Sequence, residues 1–325
     1  MPGNWPIRKG VYNGRVSIPP TPHRRAHLTA ILLALLVTFL WSSSWVLIKI
    51  GLRSDLPAIT FAGLRYTLAF VCLLPFVLAN PNHRGAVRSM STRAWRELAI
   101  LGVVFYSLTQ GAQFLGLAFL PAATLTFLLN FPPVFTALSS VGMAKEPASP
   151  VQWGGILLSS AGALVYFLPL AGPNVQAVGW VAALVGVLAN AASSILGRRA
   201  NAHSGLPPIL ITTVSMGIGG VLLLLAGVLT QGFGVLTLRQ WLIIAWLALV
   251  NTAAAFTLWN YSLKTLTAVE SGVINSLMLP QIAILAWVFL GEALTLRQIA
   301  GITIVAAGTL VVQMGRFLPS VVRRV

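Results

Sequence analysis

Apolar residues occupy long runs along this chain, and polar residues gather in the short gaps between them. A membrane-crossing helix needs about 20 predominantly apolar residues, and a bilayer forces such a segment to be helical because unpaired backbone groups find no water there. Ten runs qualify: 28–48, 58–79, 98–118, 122–143, 153–171, 178–197, 208–229, 241–262, 269–289 and 298–315. The gaps are too short to hold an inserted soluble domain. The pattern therefore predicts an all-α integral membrane protein of ten transmembrane helices. Residues 1–27 and 316–325 flank it as basic tails. The first run is too long for the apolar part of a signal peptide. The acid-poor, Arg-containing start also fits an organellar transit peptide, although Pro19, Pro20 and Pro22 oppose the amphipathic helix that such a peptide needs.

Composition agrees with this pattern. Hydrophobic residues make up 57% and charged residues 8% of the 325, against roughly 45–50% and about 25% in soluble domains. A formal charge of +16 would ordinarily point to a nucleic-acid or anionic-surface partner. Here the cations sit between spans instead of lining one face, so the expected partners are the lipid bilayer and a small-molecule substrate, with no nucleic acid. The single cysteine, Cys72, cannot form an intrachain disulfide.

Lys and Arg in short loops set membrane orientation. With the N-terminus inside, 16 of the 21 cations lie on the inner side and four, Lys49, Arg53, Arg239 and Arg297, on the outer, with Arg65 left within a span. Both termini are expected in the cytoplasm of a cell-membrane protein. Trp95, Trp153, Trp180 and Trp241 each begin a span, as interfacial belt residues do.

The chain also repeats itself. Glu146, Gln152, Gly155, Ile156, Ala161, Gly162, Leu164 and Val165 recur 146 residues later as Glu292, Gln298, Gly301, Ile302, Ala307, Gly308, Leu310 and Val311. Upstream, Ser43, Ser44, Leu56 and Pro57 recur as Ser193, Ser194, Leu206 and Pro207. The repeat contains five spans, residues 28–171 and then 178–315. An odd number forces the second copy to enter the membrane inverted, an arrangement typical of secondary transporters. With both copies in one chain, a monomer is expected. Gly155 with Gly162, and Gly301 with Gly308, lie two turns apart on one helix face, where small residues permit close helix approach.

The segment SGVINSLMLPQIAILAWVFLGEALTLRQIAGITIVAAGTLVV, Ser271 to Val312, together with WSSSWVLIK, Trp41 to Lys49, resembles the EamA family of the drug/metabolite transporter superfamily over nearly the whole chain. Unit one departs from the family pattern at Lys145, where Gly usually precedes Glu146, and at Ser42, where Gly commonly follows the first Trp. The resemblance implies ten helices, alternating access and export of small metabolites or drugs.

Transporter sites lie near the midplane at the repeat interface, beside helix interruptions. Pro132 and Pro133 fall near the middle of span 4 and Pro280 near the middle of span 9, as hinge candidates or static kinks. Asn130, Asn275, Ser276 and Gln281 lie within about one turn of these prolines. Span 3 carries Tyr106, Gln110 and Gln113 at i, i+4 and i+7, one helix face. Its repeat counterparts in span 8 are Thr252, Phe256 and Trp259. A cavity between the two stripes would be polar on one side and aromatic on the other. Trp41 and Ser44 of span 1 join the candidates, Trp41 as cavity wall or lipid-facing belt. Arg65, about 10 Å into span 2, reads as a functional charge, or as a cation snorkelling to the headgroups or capping a broken helix.

His23, His27, His83 and His203 lie in the tail or loops. The chain has no His-Glu-x-x-His and no Gly-rich phosphate loop. Catalysis, a metal and a cofactor are not expected. A channel would not need inverted halves with matched breaks. An organic-cation pump generally needs a buried acid, and none of the five acids lies near the midplane. The favoured cargo is a neutral or anionic amphipathic metabolite, an amino acid above all, with multidrug or cation efflux as the alternative.

Overall fold

The computed structural model describes residues 22–54, 56–129, 149–167, 177–262, 265–266, 274–275 and 277–315, which are helical with short connections and no strand among them. In chain order the helices are α1 Pro22–Leu52, α2 Ala58–Ala79, α3 Pro81–Arg88, α4 Thr92–Phe119, α5 Ala122–Leu129, α6 Pro150–Phe167, α7 Ala177–His203 and α8 Pro208–Gln231. Next is α9, made of Leu238–Ala248, Leu249–Ala254 and Ala255–Ser262, then α10 Met278–Leu290 and α11 Leu296–Gly315. Six of them, α1, α2, α4, α7, α8 and α9, contain stretches long and apolar enough to cross a membrane; α6, α10 and α11 contain shorter apolar helices. These nine overlie nine of the ten predicted runs. The run 122–143 is described only over α5, so six full-length spans stand where ten were expected.

Two details differ from the pattern. Helix α1 begins at Pro22, inside the segment assigned to a tail, because a proline at the first helical position loses no intrahelical bond. The gap after span 2 holds a helix of its own, α3, whose N-terminus is capped by the Asn80 side chain accepting from the Asn82 N–H at 2.9 Å.

Two helix pairs, α6 with α11 and α2 with α8, join repeat counterparts most extensively. In α6 and α11 the four glycines predicted to permit close approach face one another. An added Cβ at Gly155 would lie 2.7 Å from the Gly308 carbonyl oxygen, and one at Gly162 would lie 2.9 Å from that of Gly301. Since Gly155 is the repeat equivalent of Gly301, this pairing is antiparallel. Helices α2 and α8 follow the same rule, with Gly63 against Leu224, Gly220 against Tyr66, Gly217 against Phe70 and Gly227 against Thr60. Numbers that rise on one helix fall on the other.

Two further contacts follow the same exchange: α1 touches α9 as α7 touches α4, and α1 touches α10 as α7 touches α5. The Gly-Glu and Gln-x-x-Gly motifs acquire local causes. Gly291 ends α10 at φ +70°, the left-handed conformation that glycine adopts at little cost. The Glu292 carboxylate then accepts from the Ala122 and Ala123 N–H groups at 3.1 and 3.3 Å, satisfying the orphan donors that open α5. Gln298 accepts from the Thr295 N–H at 2.9 Å and donates its own N–H to the Thr295 hydroxyl at 3.3 Å, a capping box that starts α11.

Candidate functional site

Between the repeats lies a cavity of about 320 Å³. Helix α1 contributes Trp41, Ser44 and Trp45, and α2 contributes Arg65 and Tyr66. Helix α4 adds Phe105, Thr109, Gln110 and Gln113, α5 adds Thr126 and Leu129, and α7 adds Asn190. Phe256 of α9, Asn275, and Met278 and Ile282 of α10 complete the wall. Both repeats thus supply it, and amides face it from three elements.

Arg65 does not snorkel. It is 4% exposed, its Nε donates to the Thr252 hydroxyl oxygen at 3.0 Å, and the Thr252 hydroxyl in turn donates to the Leu247 carbonyl at 2.8 Å. The guanidinium carbon lies 5.2 Å from the Tyr66 ring centre and 5.9 Å from that of Phe114, within the range of cation–π attraction. Among the described residues no carboxylate bonds to it. A guanidinium has five N–H donors. One is committed to Thr252, and the charge forms part of the cavity wall.

The predicted stripe on span 3 is rotated. Residues Gly102–Thr109 of α4 form a π-helical segment, with a second at Leu249–Ala254 of α9, at repeat-equivalent positions. Bonds five residues apart widen each turn, and the Thr109 hydroxyl completes one by donating to Val104 at 2.8 Å. The register drifts away from the 3.6-residue spacing on which the stripe was drawn. Gln110 and Gln113 still face the cavity. Tyr106 turns away from it, 3% exposed, its ring 5.5 Å from Tyr66 and 4.8 Å from Phe105. Phe105 and Thr109 line the wall instead. Tyr66 donates its hydroxyl to Gln110 Oε1 at 2.6 Å, which fixes the amide.

The aromatic wall forms around Trp41, whose ring is 5.3 Å from both Phe256 and Trp259. Trp259 stands behind Trp41 and does not line the cavity. Thr252 likewise supports from behind. Gln281 is used between helices, its Oε1 2.8 Å from the Ser42 hydroxyl, and the Ser44 hydroxyl turns back to the Trp41 carbonyl at 2.6 Å.

Pro280 lies in the first turn of α10, where a missing N–H removes no intrahelical bond. Among the described residues it stands at the start of a helix. Asn130, Ser276, Pro132 and Pro133 fall outside the described residues.

Several residues escaped the sequence reading. Asn190 is an isolated amide within an apolar run, a signal that was available. Asn251 gave a similar one: it is fully buried and donates its amide to the Leu40 carbonyl and, at 3.2 Å, to the Ser43 hydroxyl, tying α9 to α1. The second aromatic contact of Arg65 is Phe114, which meets Phe61 edge-on at 5.0 Å. Beyond them, Lys49 donates to the carbonyls of Leu117 and Leu120 at 2.5 and 2.7 Å, and Arg53 to that of Leu290 at 3.1 Å. Lys49 satisfies carbonyls at the end of α4, while Glu292 holds the start of α5, so both grip the turn between them.

The chain matches the model of the EamA-like transporter family twice, over residues 28–168 and 177–314. The S-adenosylmethionine/S-adenosylhomocysteine transporter of Chlamydia trachomatis serovar L2 is 27% identical over 278 residues, 81% of this chain and 83% of the relative. A probable amino-acid metabolite efflux pump of Salmonella typhimurium is 28% identical over 85% of this chain and 92% of its own length. A probable terminal-alkyne amino-acid exporter of Streptantibioticus cattleyicolor is 27% identical over 81% and 86%. One solved crystal structure shares the fold, with a TM-score of 0.59 at 18% identity, over 88% of this chain and 97% of that one. With two family matches that together span the membrane-embedded chain, and relatives named as transporters and not as enzymes, this is a membrane protein belonging to the EamA-like transporter family.

Proposed function

We propose that the chain exports small neutral or anionic amphipathic metabolites by alternating access through the Arg65 cavity, with amino acids as the leading class. In this reading it has ten spans, two inverted repeats and both termini in the cytoplasm. The antiparallel packing of equivalent helices and the 16-to-4 distribution of cations support that topology.

The observation that carries the substrate class is Arg65, a buried cation in the cavity wall with no acid bonded to it among the described residues. A carboxylate placed there gains charge-assisted hydrogen bonds from the remaining N–H donors. An organic cation would meet like charge in low dielectric, which is costly. Gln110, Gln113, Asn190 and Asn275 offer partners for the other polar atoms of the cargo, and Trp41 and Phe256 a surface for its side group. The volume of about 320 Å³ is at the small end of ligand pockets and suits a molecule of amino-acid size. One relative is named for an amino-acid cargo, a terminal-alkyne amino acid; S-adenosylmethionine, named for another, has the same α-amino-carboxylate beside a sulfonium cation and so supports carboxylate recognition alone.

Efflux of cationic compounds is the second reading. It draws on the Trp41, Phe256 and Trp259 cluster, whose faces can hold a cation. Untargeted metabolite profiling of medium from cells producing the protein or its Arg65→Gln variant separates the two. Carboxylate-bearing metabolites rise with the unaltered protein and not with the variant. Accumulation of quaternary ammonium compounds alone would sink the first reading.

A further inference from the structure

On the outer surface of the α2–α8 pair lies a groove of about 650 Å³ that shares no residue with the central cavity. Its floor and walls are Phe70 to Leu78 of α2 and Thr213 to Leu222 of α8. At 1.5 Å per residue these stretches are about 12–14 Å long, close to the roughly 15 Å that one leaflet contributes to a 30 Å hydrocarbon core. Gly217 packs directly against the Phe70 ring, where an added Cβ would be 2.7 Å from a ring carbon.

One end of the groove has different chemistry. Arg84 and Arg88 line it from α3, with Trp95 opposite. Both arginines are exposed, and among the described residues neither pairs with an acid. Neighbouring Arg93 differs, since it bonds Glu97 at 3.0 Å. Tryptophan prefers the membrane–water interface, so Trp95 sets this end at headgroup level. A leaflet-length apolar channel closed by two cations complements one amphiphile: an acyl chain that ends in a phosphate.

We infer that this groove is a binding site for an acidic phospholipid, its acyl chain along α2 and α8 and its phosphate held by Arg84 and Arg88. Under the orientation proposed above, the lipid belongs to the cytoplasmic leaflet, although the site itself needs only the groove and its two arginines. The lipid would stabilise the α2–α8 pair, where equivalent helices of the two repeats meet.

The test uses the purified full chain, delipidated in detergent and offered equal amounts of phosphatidylglycerol and phosphatidylcholine, with retained lipid counted by native mass spectrometry. The unaltered protein retains phosphatidylglycerol preferentially. Arg84→Gln with Arg88→Gln lowers that retention about tenfold, and Arg84→Lys with Arg88→Lys keeps most of it. Ile218→Trp, which fills the channel, lowers retention of both lipids. On the unaltered protein, phosphatidylglycerol with a photoreactive acyl chain labels the peptides that hold Leu74 and Ile218. Full preference in the double glutamine variant overturns the site, as does an equal loss on changing Arg93 and Arg96 to Gln. Competition by glycerol phosphate as strong as by the lipid, labelling spread evenly over the apolar surface, or crosslinks that put a second copy over the groove would also overturn it.

Discussion

A cation seven residues into an apolar helix costs several kcal/mol unless its donors are met, and the surroundings of Arg65 show how a chain holds one. Thr252 accepts from Nε, two aromatic rings lie within 6 Å of the guanidinium, and in the proposed function the remaining donors meet the carboxylate of the cargo. Arg65 was legible as an outlier in the sequence, because charge inside a span is rare. Its partner was legible only as a residue of the opposite repeat. Trp41 and Trp259 were not separable, because both are aromatic residues at helical spacing in apolar runs, and only packing puts one on the wall and the other behind it. Trp41→Ala should therefore weaken transport of substrates with bulky side groups more than Trp259→Ala does. Concentration dependence of uptake into everted vesicles checks this, and equal effects would remove the distinction between wall and support.

At the scale of elements, the apolar runs overlie nine helices, six of them long and apolar enough to cross a membrane, while several helix ends lie six or more residues from the ends of their runs. What they could not show was the departure from α geometry in α4 and α9. A π-helical turn leaves no mark on an apolar pattern, and it moved Tyr106 off the cavity face. Glycine spacing was more informative, since a residue without a Cβ two turns from another has few uses besides backbone contact. Gly155→Leu would force a side chain against the Gly308 carbonyl and Val312. It should lower stability by about 1–3 kcal/mol, read as a lower melting temperature of the detergent-solubilised protein, while Gly154→Leu, which meets nothing within 4 Å, should leave it unchanged. The α4–α5 turn allows a further prediction. If Lys49 and Glu292 hold that end closed, Glu292→Gln on a Cys72→Ala, Leu117→Cys background should raise the rate of thiol labelling at position 117 several-fold. An unchanged rate would mean that the carboxylate caps a helix and does nothing for closure.

For the whole molecule, the odd five-span repeat in the sequence and the antiparallel pairing of α2 with α8 and of α6 with α11 support the proposed architecture of two halves related by a two-fold axis in the membrane plane. Single cysteines on a Cys72→Ala background should react with an impermeant reagent from outside at position 175 and only after permeabilisation at position 203; the reverse would invert the orientation. The halves meet at a cavity whose only described charge is positive, and that joins fold to cargo. The most direct measurement is counterflow in proteoliposomes containing the purified protein, comparing an amino acid with its N-acetyl amide, which bears no charge on either group. Saturable exchange of the amino acid is expected, and Arg65→Gln should raise its half-saturating concentration about 10- to 100-fold while changing that of an uncharged analogue little. Equal losses for charged and uncharged cargo, or robust exchange of quaternary ammonium compounds with none of amino acids, would contradict the account.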